Sequence, residues 1–557
     1  WHFYRVAGLI DNAITSMVFD RSGTLWLGNK DAANSQSANL TFSRYGGGAG
    51  GIPYGNITYI TTSSTSARSG GIWMGTTRGV MRYEAGKWRY FNGPRWLTDQ
   101  AFGPGNRVVT MVAGSLFSLD AVLVITETGM SWMRFTYTNL ENKAGDFQKL
   151  VLPYHDRFGL TSSSSLKTWG LRSSYQLESS ENDGLWTSIY LASQALRYAV
   201  TKDPAAKSEA DRCLGGLELL NKVTGIKGLF ARSVKQQALS PQNDQKDWVA
   251  STTMPGWIWQ RDTSSDEVTG HMLAYTMYYK LVAQTPEEKM RAATLLTNCM
   301  TYVIENDFYL IDITGHRTSW GVWNPDYIND NADWYDQRGV NSLQIMAWIS
   351  AAKYVASGVG LPTSIYDDAM QSLVIQHDYD INVLNTKIAV PNDDNYSDDE
   401  LTFLPYYTYL MANGTSLGQP FYTGLDRIFK IVKEGRSPLW TYIYAAGVQT
   451  QLGPAGLQTK LSAQDFNNAY EALQNWPVSW INWPIDNTQR LDVIVSMYLN
   501  RKDKPDMVTF LPWDERGFYR WNADPFEFLP TGTGYELNEP SAYLLPYWMA
   551  RYHNLLQ

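Results

Sequence analysis

Apolar and polar positions follow two different periods along the 557 residues. Up to about residue 150 they alternate in short runs bounded by glycines and polar clusters, which predicts strands with one buried face. The runs repeat. Gly23-Thr24-Leu25-Trp26-Leu27-Gly28 returns as Gly71-Ile72-Trp73-Met74-Gly75, with 47 residues from Trp26 to Trp73. A degenerate third copy, Val122-Leu123-Val124-Ile125-Thr126 followed by Gly129, lacks the tryptophan. Each copy is preceded by a strand-like run, at 14–19, 57–62 and 108–113, and further runs follow the second copy at 79–83 and 87–91. Four short strands per period make one blade of a β-propeller, so about three blades are expected, too few to close a ring. Open sheet edges would oblige the segment to pack on something, and leave it available for self-association.

From about residue 180 the period lengthens. Leu185, Ile189, Leu191, Ala195, Leu196 and Tyr198 lie on a helical stripe, and similar runs follow at 206–222, 265–284, 287–305, 339–357, 364–376, 399–412, 420–434, 438–448, 463–474, 488–500 and 541–554. About twelve helices in succession make six hairpins, which predicts a mainly α protein with an (α/α)6-type toroid and an N-terminal, incomplete propeller-like β segment. The expected division is repeats over 1–150, a linker over 151–180 and the toroid over 181–557. In a toroid the inner helices run parallel, so their N-termini share one face with its positive dipole ends. Trp1, Gly8-Leu9 and Leu25-Trp26-Leu27-Gly28 together resemble the propeller repeats of two-component sensor periplasmic domains.

Composition changes the picture in one respect. With 22 Trp and 35 Tyr beside only 18% charged residues, the chain has more flat amphipathic rings than a core needs, and such rings also stack on pyranose faces. A net charge of −8 without a basic cluster excludes a nucleic-acid partner. No apolar run is long enough for a membrane span. Cys213 and Cys299 fall in helical runs and read as buried thiols. Asn-x-Ser/Thr triplets at Asn39, Asn56, Asn395 and Asn413 lie in polar stretches suited to glycans and, with a first residue that is not Met, suggest a secreted glycoprotein.

Three polar clusters precede helices that the alternation makes inner. The first runs from Trp257 and Trp259 through Arg261, Asp262, Ser264, Asp266 and Glu267 to His271. The second is Tyr396-Ser397-Asp398-Asp399-Glu400. The third holds Trp320, Trp323, Trp334, Tyr335, Arg338 and Asn341. In the first two, Ser264 with Glu267 and Ser397 with Glu400 have the spacing of a capping box, which accounts for two groups in each and leaves the others over. Arg520-Trp521-Asn522 and the run from Tyr547 to His553 read as closing the helical body. The six histidines lack zinc-ligand spacing, whereas clustered acids and amide oxygens would suit Ca²⁺, so the metal content stays open.

Asp183-Gly184-Leu185-Trp186, Gly225 to Arg232, Asp262 to Glu267, Arg317 to Trp323, Ser397 to Glu400 and Leu545 to His553 resemble bacterial secreted proteins that pair propeller repeats with an α/α toroid. Among them are polysaccharide lyases that cleave rhamnose–glucuronate linkages. Tyr396 stands where that resemblance leads one to expect a histidine. The resemblance implies a lyase acting on uronate-containing polysaccharide by β-elimination. His271 or Tyr335 would be the base, and Arg261, Arg338 and Asn341 would neutralise the uronate. Trp257, Trp259, Trp323, Trp334 and Tyr396 would line the sugar site. Two other readings stay open. One is a glycoside hydrolase pairing Asp262, Asp266 or Glu267 with Asp398, Asp399 or Glu400. The other is a non-catalytic glycan-binding or structural protein.

Overall fold

The computed structural model describes residues 13–37, 42–63, 71–98, 106–116, 119–136, 138–237, 247–388, 395–414, 416–501, 504–507, 509–517, 520–527, 529 and 532–556. Asn39 and Trp1 lie outside them. The chain divides into two compact units: Trp1–Asn139 with Pro477–Phe518 and Asp524–Tyr535, and Leu140–Trp476 with Tyr519–Ala523 and Glu536–Gln557.

In the first unit β1 (Ser16–Phe19), β2 (Leu25–Gly28), β3 (Ala33–Gln36) and β4 (Phe42–Tyr45) form one antiparallel sheet in chain order. A second sheet repeats the arrangement with β5 (Ile57–Thr62), β6 (Ile72–Thr76), β7 (Gly79–Glu84) and β8 (Lys87–Phe91). The degenerate third copy supplies three strands, β9 (Val108–Leu116), β10 (Leu119–Thr126) and β11 (Met130–Phe135). The repeated glycine has a steric reason. A Cβ on Gly28 would meet Ile57 Cγ2 at 2.5 Å, and one on Gly75 would meet Val108 Cγ1 at 2.4 Å. In both cases the atom in the way belongs to the first strand of the next sheet, so only a bare backbone lets neighbouring sheets close. Trp26 and Trp73 fill the two resulting cores, with Tyr45 and Tyr83 around the first and Phe91 and Phe135 around the second.

The 477–518 piece is tied to this unit by a buried carboxylate. Glu515 accepts from Arg89 Nε at 2.7 Å, from Arg490 Nη1 at 2.6 Å and from the Tyr90 N–H at 3.1 Å. The helix expected over 488–500 is absent. Val495–Arg501 pairs as a strand with Lys504–Met507, opening on the β-branched Val495.

In the second unit twelve helices of three turns or more alternate in character among the described residues. These are α1 (Leu140–His155), α2 (Asp183–Thr201), α3 (Pro204–Lys222), α4 (Ser265–Met277), α5 (Pro286–Glu305) and α6 (Arg338–Val359). They continue with α7 (Ser364–Ile375), α8 (Ser397–Asn413), α9 (Gln419–Val432), α10 (Pro438–Lys460), α11 (Ala463–Asn475) and α12 (Ser541–Tyr552). The odd helices bury one stripe, such as Ala206, Ala210, Cys213, Leu214, Leu217 and Leu220 of α3. The even ones are enclosed on nearly every side, α10 over its first half. Each even helix packs on the next, from α2 through α4, α6, α8 and α10 to α12, and α12 packs on α2. Several of their buried threonines satisfy themselves along the helix, as where Thr276 donates to the Met272 carbonyl at 2.7 Å and Thr408 to that of Leu404 at 3.0 Å. Cys213 and Cys299 are buried free thiols.

Helix α1 replaces part of the expected β segment. Its stripe of Ala144, Phe147, Val151 and His155 is helical, but Lys143 also turns inward. The Lys143 ammonium donates to the carbonyls of Leu473, Gln474 and Trp476 at 3.0, 2.9 and 2.6 Å, closing the C-terminal end of α11 where a cation is favoured. Short strands fill the connections: β12 (Asp156–Arg157), β13 (Leu160–Thr161), β14 (Ser164–Leu166), β15 (Tyr175–Leu177), β16 (Val234–Gln236), β17 (Trp248–Ala250), β18 (Trp257–Gln260), β19 (Tyr309–Ile311) and β20 (Arg317–Val322). No helix of the described residues is long and apolar enough to cross a membrane.

Candidate functional site

The two Ser-x-x-Glu signatures do open helices, but neither forms the capping box expected of it. Ser264 makes no cap hydrogen bond, and its hydroxyl is buried without a partner. Glu267 turns to the neighbouring helix instead, accepting the N–H groups of Gly184 and Leu185 at 3.1 and 3.2 Å. It thus satisfies orphan amides in the first turn of α2, a service that helix obtains from no cap of its own, since Asn182 makes no cap bond. Gly184 is required for this, because a Cβ there would lie 2.2 Å from Glu267 Oε2. At the second signature α8 begins one residue early, with Tyr396 at the cap and Asn395 Oδ1 accepting the Ser397 N–H at 3.1 Å.

That shift frees the acids of α8. Asp399 pairs with Lys387 at 2.5 Å, both side chains nearly inaccessible. Asp398 accepts from Gln337 Nε2 at 3.2 Å, joining the second cluster to the third. Burial pushes Asp398 up to about 6, with Gln337 and Lys387 opposing and the Asp399 and Asp336 charges reinforcing. Glu400 is raised further than Asp398. It is 1% exposed, its Oε1 has no hydrogen-bond partner, and burial pushes it up to about 8. The Asp266 and Glu539 charges add to the rise, and Arg520 opposes it. Burial thus favours the protonated form of Glu400 well above the pH at which an exposed carboxyl ionises.

Around it gather the starts of four even helices. Asp266 opens α4, Glu400 opens α8, and Glu539 receives the Ser541 N–H at 2.6 Å at the start of α12. Burial also raises Glu539. Arg520 donates to Ser163 Oγ at 2.5 Å, lies 3.9 Å from Glu536, and places its guanidinium 4.3 Å from the ring centre of Trp186 on α2. The expectation that Arg520-Trp521-Asn522 only closes the body is met by Trp521, which packs on Trp440 and Trp476, but Arg520 is the cation among these acids.

The other expected site residues divide into enclosed, committed and open. His271 is fully enclosed. Its Nδ1–H donates to the Glu267 carbonyl at 2.8 Å, its ring stacks on Phe230 at 3.9 Å, and burial brings it down to about 4, so it is neutral. Trp259 and Trp323 are wholly buried, Trp323 donating to Gln344 Oε1 at 2.9 Å. Arg338 donates to the Ile328 and Asn329 carbonyls at 3.2 and 2.6 Å, and Asn341 to that of Val322 at 2.8 Å. Arg261 lies between Asp247 and Asp312, at 3.6 and 3.8 Å. Trp257 packs edge-on against Phe158, and Tyr396 has the Lys387 ammonium over its ring at 5.3 Å. Tyr335 is exposed. Of the triplet asparagines, Asn395 and Asn413 are exposed and Asn56 is half-buried. No three His, Cys, Asp or Glu among the described residues gather as metal ligands would.

Trp334 belongs to an outward aromatic group that the sequence reading only half identified. Trp320, 55% exposed, stands 5.9 Å from Trp334, which meets Tyr327 edge-on at 5.1 Å, and Arg317 covers Tyr327 at 4.7 Å. This group is fastened to the loop before α4. Asp262 accepts the Ser319 N–H and hydroxyl at 2.7 and 2.8 Å, from a left-handed backbone (φ 55°) that presents its carboxylate to β20.

Residues 8–31 match the family described as "Two component regulator propeller", so the N-terminal region carries a propeller repeat. No curated protein matches the chain. A solved structure, "Bacteroides ovatus GH9", is similar at a TM-score of 0.37 and 10% identity, over 89% of this chain and 96% of that one. A likeness that faint does not extend to the chemistry of these residues.

Proposed function

We propose that the second unit is an (α/α)6 toroid whose inner-helix starts form a carbohydrate-cleaving site, with Glu400 as general acid and Asp266 as general base. The toroid reading is supported by the even-helix packing from α2 to α12 and back to α2. The observation that carries the chemistry is the buried Glu400 carboxyl, whose Oε1 no group of the fold satisfies, with the partly accessible Asp266 among the acids around it. A carboxyl whose protonated form burial favours, beside a second and more accessible acid, is the pairing that glycosidic hydrolysis uses. Glu400 would protonate the leaving oxygen as its bond to the anomeric carbon breaks. Water would add at that carbon, giving its proton to Asp266. The Trp320–Trp334–Tyr327 group would stack on sugar rings beyond the cleavage point.

β-Elimination draws less support, because Arg338 and Asn341, which would neutralise a uronate, are committed to backbone carbonyls. An extracellular setting, with glycans on Asn395 and Asn413, fits the same reading. Incubating the whole chain with neutral and uronate-rich polysaccharides tests it. New reducing ends that disappear in E400Q and D266N are expected. Unsaturated, ultraviolet-absorbing ends would mean elimination and overturn the assignment, and binding without either product would leave a non-catalytic glycan binder.

A further inference from the structure

A cavity of about 910 Å³ opens in the helical unit beside the segment that leads into α2, and it uses none of the Glu400 group. Part of its lining is one face of the β16–β18–β17 sheet. Lys235 pairs with Ile258 and Trp248 with Gln260, and because 258 and 260 point to the same side, Lys235, Trp248 and Gln260 project together. The Lys235 ammonium sits 4.2 Å from the Trp248 ring centre, which restrains that ring.

Phe158 supplies a second aromatic surface, and its backbone is unusual. It occupies the turn between β12 and β13 with φ 61°, a left-handed conformation that a bulky side chain rarely adopts. The next residue, Gly159, is also left-handed (φ 85°), and a Cβ on it would lie 2.6 Å from the Arg212 carbonyl. A tight turn of this kind would be more comfortable with Asn or Gly at 158. Instead an aromatic is held there, 40% exposed, its ring edge-on to Trp257 at 4.9 Å. Strain kept at an exposed ring that lines a cavity points to use of the ring.

The charges around the cavity are largely matched. Asp156 pairs with Arg212, Arg157 with Asp183, and Asp247 with Arg261. Glu178 and Glu181 remain against Lys235, a slight acid excess that disfavours an anionic ligand. Gln260, on the same face as Lys235 and Trp248, and Gln176 offer amide donors and acceptors, which suit hydroxyl groups. Two aromatic faces, side-chain amides and no cationic excess are the chemistry of a neutral pyranoside, in a volume typical of ligand sites.

We propose that this cavity binds a neutral stretch of glycan through Phe158 and Trp248, a subsite additional to the Glu400 group. The inference rests on the reading that the chain acts on carbohydrate, and the test separates the two. The full chain carrying E400Q, so that the probe is not consumed, is titrated calorimetrically with neutral gluco- and galacto-oligosaccharides and with the same oligosaccharides oxidised at C6 to uronates. Neutral probes should bind, with the uronate forms weaker by about tenfold, and Phe158→Asn and Trp248→Ala should each weaken binding by at least about tenfold. Phe158→Asn suits the left-handed turn, so its melting temperature should hold while binding falls. Absence of neutral binding, unchanged affinity in both variants, or preference for uronates would each overturn the proposal. Loss of hydrolysis in E400Q with inert Phe158 and Trp248 variants would sink the cavity and leave the Glu400 assignment standing. Binding loss in those variants with E400Q still hydrolysing would do the reverse.

Discussion

Ser264-Ser265-Asp266-Glu267 and Ser397-Asp398-Asp399-Glu400 are nearly the same word, each opening an enclosed helix, yet their glutamates are put to different uses. Both carboxyls are buried and both are raised above the ordinary range by that burial. Glu267 receives two amide hydrogens from α2 and is a structural tie between helices. Glu400 has an oxygen that nothing in the fold satisfies, and its surroundings are the acids and the arginine of other helix starts. Burial alone therefore does not mark a functional acid. What sets Glu400 apart is the combination of an unsatisfied carboxyl oxygen with the acids and the arginine of other helix starts around it.

The largest test of that contrast is catalytic. E400Q should lower turnover by about 10²–10⁴-fold, the range of a general acid, and leave the fold intact. E267Q should leave turnover within a few-fold of the parent but lower the melting temperature, since an amide nitrogen would face a backbone N–H. Turnover measured on both, beside thermal unfolding, decides it. If E267Q is the dead variant, the two roles are exchanged.

The second test is the pH dependence of stability. Glu400 goes from an ordinary 4.5 to about 8, so between those values the folded protein keeps a proton that the unfolded chain releases. Stability should fall as pH rises through this window, by up to about 1.4 kcal/mol per pH unit, and level off above it. E400Q removes the share of Glu400 and leaves those of Glu267, Asp398 and Glu539, so its melting temperature should gain on the parent from pH 4.5 to 8. The enclosed histidines act with the opposite sign. His155, His271 and His553 are each lowered to about 4, so stability should fall as pH drops from 6.5 toward 4. A parent and an E400Q variant with parallel curves across pH 4.5–8 would show that Glu400 is ionised in the fold.

A smaller effect probes the Glu267 side. Gly184→Ala puts a methyl 2.2 Å from Glu267 Oε2 and 2.3 Å from His271 Cε1, inside a contact where α2 and α4 also approach through Gly270. Overpacking of this kind costs roughly 1–3 kcal/mol. The variant should unfold earlier in denaturant, with the slope of its transition unchanged and its catalytic rate nearly intact. An unaltered midpoint would mean that Glu267 is not the tie described.

How far such distinctions could be read in advance depends on what the residues answer to. The repeat was legible because Gly28 and Gly75 meet the same steric demand at successive sheet contacts, and Trp26 and Trp73 fill the same core position. The helical runs were legible where their stripes were clean. Helix α1 was missed because Lys143 points inward to cap another helix, which periodicity counts as a fault. The run at 488–500 fits either period because its apolar stretch is short, and the structure makes it a strand from Val495 on. The site was half legible. Residue types at three helix starts suggested a rim, but which acid is satisfied depends on partners far away, such as Gly184 for Glu267 and Arg520 for Glu400. Arg520 lies 120 residues beyond Glu400 in a stretch that reads only as closing the helical body, and nothing local ties it to that acid.

The smallest expected effect concerns the outward aromatics. Trp320 and Trp323 stand three residues apart, and the sequence singled out Trp323 for sugar contact. Trp323 is wholly buried and bonded to Gln344, whereas Trp320 is more than half exposed beside Trp334. Truncating an exposed ring removes little buried area, so Trp320→Ala should leave the melting temperature nearly unchanged. Its loss from a stacking surface should cost about 0.5–1.5 kcal/mol, read as a roughly two- to tenfold rise in KM on long polysaccharide. The catalytic rate should not move, because the ring touches neither Glu400 nor Asp266 and its contribution is the same in ground and transition states. Short substrates that end before the platform should show no change at all. A fall in kcat with KM unchanged would place Trp320 in the reaction itself and not on the approach to it.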